Sequence, residues 1–214
     1  MREPAVLVTG GAKRVGAAIV RKLHDAGVRV IVHCRSSRAE AETLVALLNA
    51  ARAASAGVVE GDLADTASLE ALVAESVARF GRLDGLVNNA SGFRATPFGT
   101  LTPADWEELS ATNLRAPMFL AKAAAPHLAR TGGAIVNIVD IHAERPLRDF
   151  TAYTVAKAGL AGLTRSLALE LAPAVRVNGV SPGAILWPEP DDAYPPSERA
   201  RITAQTPLRR TGSP

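Results

Sequence analysis

A tyrosine and a lysine lie four residues apart in a stretch of helix-forming residues. Tyr153 and Lys157 flank the tripeptide Thr-Val-Ala, and this spacing places both side chains on one face of a helix. A phenol has an ordinary pKa of about 10, which makes it a poor acid at neutral pH. A neighbouring ammonium group favours the phenolate and lowers that pKa. The pair therefore predicts a proton donor, Tyr153, whose pKa is lowered by Lys157.

An acid lies thirteen residues before this tyrosine. Asp140 directly follows the apolar run Ala134–Val139. A carboxyl group that shares a proton with Tyr153 can supply the proton that nitrogen needs when a ring C=N bond is reduced. The same carboxylate would oppose the negative charge that grows on oxygen when a carbonyl is reduced. The alternative is an ordinary acidic N-cap or turn residue.

A glycine-rich turn follows the first apolar run, within Thr9–Gly16. Its glycines allow a tight bend and let backbone N–H groups approach a pyrophosphate at the start of the next helix. Its place in the first strand-turn-helix unit favours a dinucleotide site. The residues of this turn that we predict to bind the cofactor are Gly10, Lys13, Arg14, Val15 and Gly16.

The end of the second apolar run indicates which dinucleotide binds. An NAD site needs an Asp or Glu there for the ribose 2′-hydroxyl, but the segment His33–Arg38 contains no acid. Arg35 can donate two hydrogen bonds to a 2′-phosphate and Ser36 a third, which predicts NADPH as the cofactor. The alternative is a solvated basic turn. We also place His33 among the cofactor-binding residues.

An acid follows the third apolar run and is a candidate for the adenine end of the cofactor. Asp62, followed by Leu63, is placed to accept a hydrogen bond from the adenine amino group. An N-cap or turn role for Asp62 is the alternative.

The elements that position these residues follow from the apolar pattern. The apolar runs are Ala5–Val8, Val28–His33, Val58–Val59, Leu86–Val87, Ala134–Val139 and Val175–Val180. Helix-forming stretches lie between them, at Val15–Ala26, Arg38–Ala51, Thr66–Phe80, Pro103–Arg130 and Thr151–Leu171. Strands that are apolar on both faces and alternate with crossover helices predict a doubly wound, parallel, Rossmann-like α/β sheet. Ligands bind such sheets at the carboxyl ends of the strands.

The length of the chain and the positions of its glycines and prolines complete the predicted organisation. The 214 residues suit one α/β domain, 1–214. Glycines 27, 57 and 81 are each expected to close a helix. A proline-rich stretch, Gly183–Pro196, precedes a short helical piece, Ser197–Ala204. We predict a substrate loop at about 183–206, with a mere connection as the alternative. Because the chain stops soon afterwards, the sheet is expected to lack a last helix and strand.

Composition excludes several classes of protein. A single cysteine, Cys34, excludes an internal disulfide, and no cysteine or histidine has the spacing of metal ligands. The net charge is +3, but arginines are spread along the chain and aromatics are only 4%, which disfavours a nucleic-acid groove. No apolar run is long enough for a signal peptide or a membrane span. The expected location is the cytoplasm.

Together, these motifs resemble the short-chain dehydrogenase/reductase family. They are Thr9–Gly16, Asn88–Ala90, Asn113, Tyr153 with Lys157, and Ser181–Gly183, in order over the whole chain. The resemblance implies that Tyr153 protonates the substrate and that Lys157 also binds the nicotinamide ribose. It implies that Asn113 steadies a proton-relaying water, with a capped helix break as the alternative. It further implies cofactor contacts by Asn89, Ala90, Pro182 and Gly183, and a homodimer or homotetramer if the chain is complete.

Two departures from the family pattern are informative. Most members have a glycine where this chain has Arg14, and a serine where it has Asp140. Together with Asn88–Phe93 these departures resemble the pteridine reductase branch. That likeness implies that Phe93 stacks on a flat pterin, and that Arg14 and Ser91 bind the pterin edge or the cofactor phosphates. Plain core packing is the alternative for Phe93.

The sequence therefore predicts an NADPH-dependent pteridine reductase that forms the tetrahydro product from a dihydropterin, with dihydrofolate as a second candidate substrate. The predicted substrate-binding residues are Arg14, Ser91, Phe93, Asp140 and Tyr153. One alternative is a carbonyl reductase acting on 3-oxoacyl thioesters or other ketones. Another is a truncated or inactive dinucleotide-binding protein.

Overall fold

The computed structural model describes residues 3–187 and 194–214. Its strands form one six-stranded sheet in the order β3-β2-β1-β4-β5-β6, and every neighbouring pair is parallel. The strands are β1 Ala5–Val8, β2 Arg29–Cys34, β3 Ala56–Glu60, β4 Gly85–Asn88, β5 Ala134–Ile138 and β6 Arg176–Val180. The α-helices are α1 Arg14–Asp25, α2 Arg38–Ala51, α3 Leu69–Phe80, α4 Pro103–Ser110, α5 Ala116–Thr131, α6 Thr151–Glu170 and α7 Pro196–Gln205.

Helices cover both faces of the sheet, as predicted. Successive β1 residues belong to different hydrophobic clusters, because side chains alternate between the faces of a strand. Leu7 packs in a cluster with residues of α3 and α5. Val8 packs in the other cluster, with residues of α1 and α2. The doubly wound parallel fold is therefore confirmed.

The strand order places the reversal point of the sheet between β1 and β4. Val8 lies opposite both Val32 of β2 and Val87 of β4, so these three strands end at the same edge. The segments that follow β1 and β4 meet at this edge, which is where doubly wound sheets bind ligands. On the far side, Ile138 of β5 lies opposite Val180 of β6.

The predicted helix ends are confirmed at two glycines and wrong at a third. Gly81 ends α3 with φ +71°, and Gly27 follows α1 with φ +84°. Gly57 instead lies within β3, opposite Ile31. The side chain of Asn49 closes the connection from α2 to β3 in its place, accepting hydrogen bonds from the backbone N–H groups of residues 55 and 56, both at 2.9 Å.

The carboxy-terminal segment is only partly within the described residues. Positions 188–193 of the predicted substrate loop lie outside them. The predicted helical piece Ser197–Ala204 lies within α7. In the described part of the chain, no strand follows β6. None of the helices in the described ranges has the length and apolar character to cross a membrane.

Candidate active site

The glycine-rich turn after β1 is tied to the segment after β4. Thr9 Oγ1 accepts hydrogen bonds from the backbone N–H groups of Asn89, at 2.9 Å, and Ala90, at 3.0 Å. The Asn89 side chain donates to the carbonyl groups of Thr9, at 2.9 Å, and Gly10, at 3.2 Å. A Cβ at Gly16 would lie 2.1 Å from the Gly10 carbonyl oxygen. The turn therefore packs against α1 at a distance that only glycine permits.

These features fit a dinucleotide pyrophosphate. The N-cap of α1, Lys13, makes no side-chain capping hydrogen bond, and the first turn contains no acid. The first N–H groups of a helix need an acceptor and attract an anion. Val15 lies half-buried in this first turn. The residues predicted to surround the pyrophosphate are thus brought together at one helix terminus.

Arg14 has a backbone conformation that favours glycine. Its φ is +54°, a region that costs a residue with a Cβ about 1–2 kcal/mol. Its guanidinium donates a 2.5 Å hydrogen bond to the carbonyl oxygen of Trp187. The side chain therefore connects the cofactor turn to the segment that follows β6.

His33 is buried beneath the glycine-rich turn. It is 2% exposed, and its Nδ1 accepts from the Gly10 N–H at 3.2 Å. Its Nε2 lies 3.1 Å from the Gly61 carbonyl oxygen, an arrangement that assigns the proton to Nε2. Burial lowers the pKa of His33 and favours this neutral form. His33 therefore positions the glycine-rich turn through Gly10, and its predicted contact with the cofactor stays a prediction.

Arg35 and Ser36 are exposed at the end of β2. Neighbouring cations are engaged: Lys13 lies 3.3 Å from Glu40, and Arg38 bonds two carboxylates at 2.8 Å. Within residues 3–187 and 194–214, Arg35 forms no ion pair. It is thus placed to bind an external anion.

Asp62, the candidate for the adenine contact, forms a turn. Asp62 is exposed, and its Oδ1 accepts from the Ala64 N–H at 2.9 Å. Leu63 is buried at 5% exposure. The turn role considered for Asp62 is therefore present, and its second carboxylate oxygen is the one left for a ligand.

The predicted acid and tyrosine meet at the carboxyl end of β5. The Tyr153 hydroxyl donates a 2.5 Å hydrogen bond to Asp140 Oδ2. Asp140 Oδ1 accepts from the His142 N–H at 2.9 Å and caps the 3-10 turn Ile141–Ala143. The structure therefore contains a hydrogen bond between Asp140 and Tyr153 as well as the acidic cap considered for Asp140.

The electrostatics of the tyrosine differ from the sequence prediction. Burial raises the pKa of Tyr153, the negative charge of Asp140 raises it further, and a hydrogen bond from Ser91 opposes them. Lys157 was expected to lower this pKa. Its Nζ instead lies 5.8 Å from the Tyr153 ring centroid and donates to the Ile138 carbonyl at 2.9 Å. The carboxylate is therefore the closer charge, and Tyr153 is held as a protonated donor.

Lys157 is almost completely buried, at 2% exposure. Burial lowers its pKa to about 8, and the charge of Asp140 acts against this shift. The lysine thus retains its positive charge at neutral pH. It lies on the same face of α6 as Tyr153.

Asn113 lies in a π-helical turn, Ala111–Arg115, that interrupts the predicted helix 103–130. It is fully buried, and its Nδ2 donates to the carbonyl groups of Leu109 and Gly92, both at 2.9 Å. Its Oδ1 accepts from Ser91 Oγ at 2.7 Å. Such turns are frequent at functional sites, and this one is also the helix break considered in the sequence.

The carboxyl ends of β5 and β6 bring further predicted residues beside the acid. Because Ile138 lies opposite Val180, Asp140 and Pro182 follow their strands by the same two residues. Pro182 is half-buried and Gly183 is exposed. Both lie at the edge of the sheet that carries Asp140.

Phe93 belongs to an aromatic cluster that sequence reasoning missed. Its ring stacks on Phe150 at 4.5 Å, meets Tyr153 edge to face at 4.9 Å and lies parallel to Tyr194 at 6.2 Å. Phe93 itself remains half-exposed, so it packs against neighbours and also faces the cleft. Phe150 could have been found from its spacing, since it directly precedes α6 and lies three residues before Tyr153.

The sheet order and the Tyr153/Lys157 pair are typical of a nucleotide-dependent oxidoreductase. Residues 4–191 match the short chain dehydrogenase family, and the chain belongs to this family, whose members use NAD(P)H.

Several curated relatives extend over most of the chain. Pteridine reductase 1 of Leishmania tarentolae is 41% identical, over 87% of this chain and 78% of the relative. A Streptomyces violaceoruber protein, assigned by name as ketoacyl reductase 2 of the granaticin polyketide synthase, is 39% identical over 99% and 85%. The 3-oxoacyl-[acyl-carrier-protein] reductase of Staphylococcus aureus is 31% identical over 97% and 85%. A reductase role is therefore supported, while these relatives differ in substrate.

Proposed function

We propose that this chain is an NADPH-dependent pteridine reductase, which reduces a C=N bond of a dihydropterin. The observation that carries the proposal is the 2.5 Å hydrogen bond from the Tyr153 hydroxyl to Asp140. A carboxylate in this position suits protonation of a ring nitrogen and opposes an alkoxide. The 41% identity to a pteridine reductase supports the same substrate class.

The chain's own residues hold and move the proton. When bound, NADPH supplies the hydride that reduces the ring carbon. Asp140 holds the Tyr153 proton in the absence of substrate, and the hydroxyl passes that proton to the substrate nitrogen by turning away from the carboxylate. Lys157 contributes a buried positive charge beside Tyr153 and is proposed to hold the nicotinamide ribose. Asn113, fixed by three hydrogen bonds, is proposed to position the proton-relaying water.

The preference for NADPH over NADH rests on Arg35. This residue and Ser36 lie exposed where β2 ends, and no carboxylate follows that strand before Glu40. A guanidinium without an ion pair within the described residues is suited to the 2′-phosphate. Ser91 and Arg14 are proposed to bind the pterin edge or the cofactor phosphates, and Phe93 to stack on the pterin.

Reduction of a 3-oxoacyl thioester is the second candidate function. The relatives from Streptomyces violaceoruber and Staphylococcus aureus favour it by their names. Against it stands Asp140, because a carboxylate beside Tyr153 destabilises the developing negative charge on oxygen.

The test measures NADPH oxidation by the purified chain with a panel of substrates. The panel holds dihydrobiopterin, dihydromonapterin, dihydrofolate and an acetoacetyl thioester. We expect the highest kcat/KM with a dihydropterin and little turnover of the thioester. A chain that reduces the thioester well and leaves all three pteridines unreduced would reject the proposal and establish the second candidate.

A further inference from the structure

A second tyrosine extends the aromatic cluster around Phe93. The Tyr194 ring is parallel to Phe93 within 7°, with centroids 6.2 Å apart, and lies 5.7 Å from the ring of Trp187. Phe93 in turn contacts Tyr153 at 4.9 Å. Phe93 therefore links Tyr194 to Tyr153, the proposed proton donor, although the two tyrosines are 41 positions apart in the sequence.

Contacts from two sides fix this part of the cluster. Arg199 of α7 donates to the Tyr194 carbonyl oxygen at 2.7 Å, and its guanidinium lies 5.5 Å from the Trp187 ring centroid. Arg14 of the cofactor turn donates to the Trp187 carbonyl oxygen at 2.5 Å. Tyr194 and Trp187 are thus held between α7 and the glycine-rich turn.

The hydroxyl of Tyr194 is the unusual feature. The residue is 9% exposed, yet its hydroxyl makes no hydrogen bond within the described ranges. Burial and the negative charges of Asp140 and Glu198 raise the pKa of Tyr194, so its phenol stays protonated. The cluster therefore offers a hydrogen-bond donor that a ligand can use.

We propose that Tyr194 contacts the substrate and helps to determine specificity. Its ring and that of Phe93 form one aromatic wall, and its hydroxyl donates to a polar group of the bound substrate. A flat heteroaromatic ring gains from both features, whereas a flexible 3-oxoacyl chain gains little from the ring face. The preference for a flat substrate rests on the proposed function; the contact with substrate does not.

Steady-state kinetics of two variants separate the ring from the hydroxyl. Tyr194→Ala is expected to raise the KM for dihydrobiopterin roughly tenfold, as for a lost stacking contact and hydrogen bond. Tyr194→Phe keeps the ring and should raise that KM only a few-fold. The affinity for NADPH should stay unchanged in both. The matched control is Phe98→Ala, an aromatic residue that is 76% exposed and outside the cluster, and its KM should equal that of the parent.

A binding measurement makes the test independent of turnover. The chain has two tryptophans, Trp106 and Trp187, so Trp106→Phe leaves Trp187 as the sole reporter beside Tyr194. With NADP⁺ bound no reduction occurs, and dihydrobiopterin should change the Trp187 fluorescence. Adding Tyr194→Ala to this variant should shift the binding curve roughly tenfold to weaker affinity.

The outcomes distinguish this proposal from the proposed function. If the parent reduces only the acetoacetyl thioester, the proposed function fails, and the KM of the alanine variant for that thioester tests Tyr194. Unchanged KM values for every substrate that is reduced, together with an unshifted binding curve, would overturn the role of Tyr194. A tenfold shift in either measurement supports it.

Discussion

Asp140 occupies the position at which the two candidate chemistries make opposite demands. Reduction of a carbonyl builds negative charge on oxygen, which a hydroxyl donor stabilises and a carboxylate opposes. Reduction of a C=N bond leaves a nitrogen that needs a proton, and general acid catalysis contributes about 10²–10⁴-fold. We therefore expect Asp140→Ser to lose about that factor in dihydropterin reduction and to gain measurable reduction of ketones, both read as kcat/KM.

The control for this exchange is Asp140→Asn. Asparagine keeps an oxygen that can accept from the His142 N–H, so the cap of the 3-10 turn is retained. It cannot share a proton with Tyr153, and pterin reduction should fall as in the serine variant without the gain on ketones. Full pterin activity in the serine variant would show that Asp140 acts only as a cap.

The second expectation at the scale of single residues is that Arg35 determines the choice of cofactor. Arg35→Asp should weaken NADPH binding roughly thirtyfold, because it removes a charged contact to the 2′-phosphate, and should leave NADH binding equal or better. Fluorescence titration with both cofactors gives the ratio of dissociation constants. The matched control is Arg38→Ala, whose guanidinium is already bound by Glu42 and Glu60. An unchanged ratio in the Arg35 variant would remove it from the cofactor site.

At the scale of elements, the contact between the turn and α1 depends on a single glycine. A Cβ at Gly16 would overlap the Gly10 carbonyl oxygen at 2.1 Å, so Gly16→Ala must displace the turn or the helix. We expect NADPH binding to weaken tenfold or more and unfolding free energy to fall by about 1–3 kcal/mol. Titration and urea unfolding measure these two effects.

Gly162→Ala is the control for this variant. Gly162 lies in α6, and an added Cβ there meets no atom within 4 Å. Because alanine favours a helix more than glycine does, this change should stabilise the chain by up to about 1 kcal/mol and leave cofactor binding intact. Normal cofactor binding by the Gly16 variant would contradict a pyrophosphate site at the start of α1.

Periodicity was sufficient to predict the order and type of these elements. The first strand and α2 have the predicted bounds, Ala5–Val8 and Arg38–Ala51, because apolar and turn residues alternate sharply there. Periodicity alone could not predict the π-helical turn at Ala111–Arg115, since the apolar pattern there is that of a continuous helix. A helix break was considered only as the alternative for Asn113. Gly57 was misplaced because Asn49 performs the closing role through its side chain, a contact that periodicity does not encode.

The candidate site was predictable where its residues follow a strand or share a helix face. That holds for Asp140, Tyr153 and the glycine-rich turn. The direction of the Tyr153 pKa shift could not be predicted, because it depends on whether the Asp140 carboxylate or Lys157 lies closer in three dimensions. Tyr194 falls within the predicted substrate loop at about 183–206, but its contact with Phe93 crosses about a hundred residues, so local spacing does not single it out within that loop.

Over the whole molecule, the site joins parts of the chain that are far apart in sequence. The hydrogen bond from Arg14 to the Trp187 carbonyl joins positions 173 residues apart. It links the turn after β1, where the cofactor is proposed to bind, to the segment after β6 that carries the aromatic wall. The proposed cofactor and substrate positions are therefore joined by a hydrogen bond from Arg14, whose φ is +54°.

Burial of the Lys157 ammonium also makes the stability of the whole fold depend on pH. Its pKa falls from an ordinary 10.5 to about 8 in the folded chain, so the unfolded chain binds more protons between these values. Stability therefore rises with pH across this window and the burial cost is greatest below pH 8. Cys34, Tyr153 and Tyr194 oppose the trend from about pH 9 upward, because burial raises the pKa of each of them.

A variant without the charge isolates the lysine from those opposing groups. Lys157→Met has a similar volume and no proton to lose, so Cys34, Tyr153 and Tyr194 contribute alike to both proteins. Urea unfolding at pH 7 and pH 9.5 should show that the parent gains more stability than the variant over this interval. The expected difference is about 1–3 kcal/mol, since each unit of pKa shift corresponds to about 1.4 kcal/mol. Equal changes in the two proteins would mean that the Lys157 ammonium is solvated in the folded chain, and its proposed place beside Tyr153 would have to be revised.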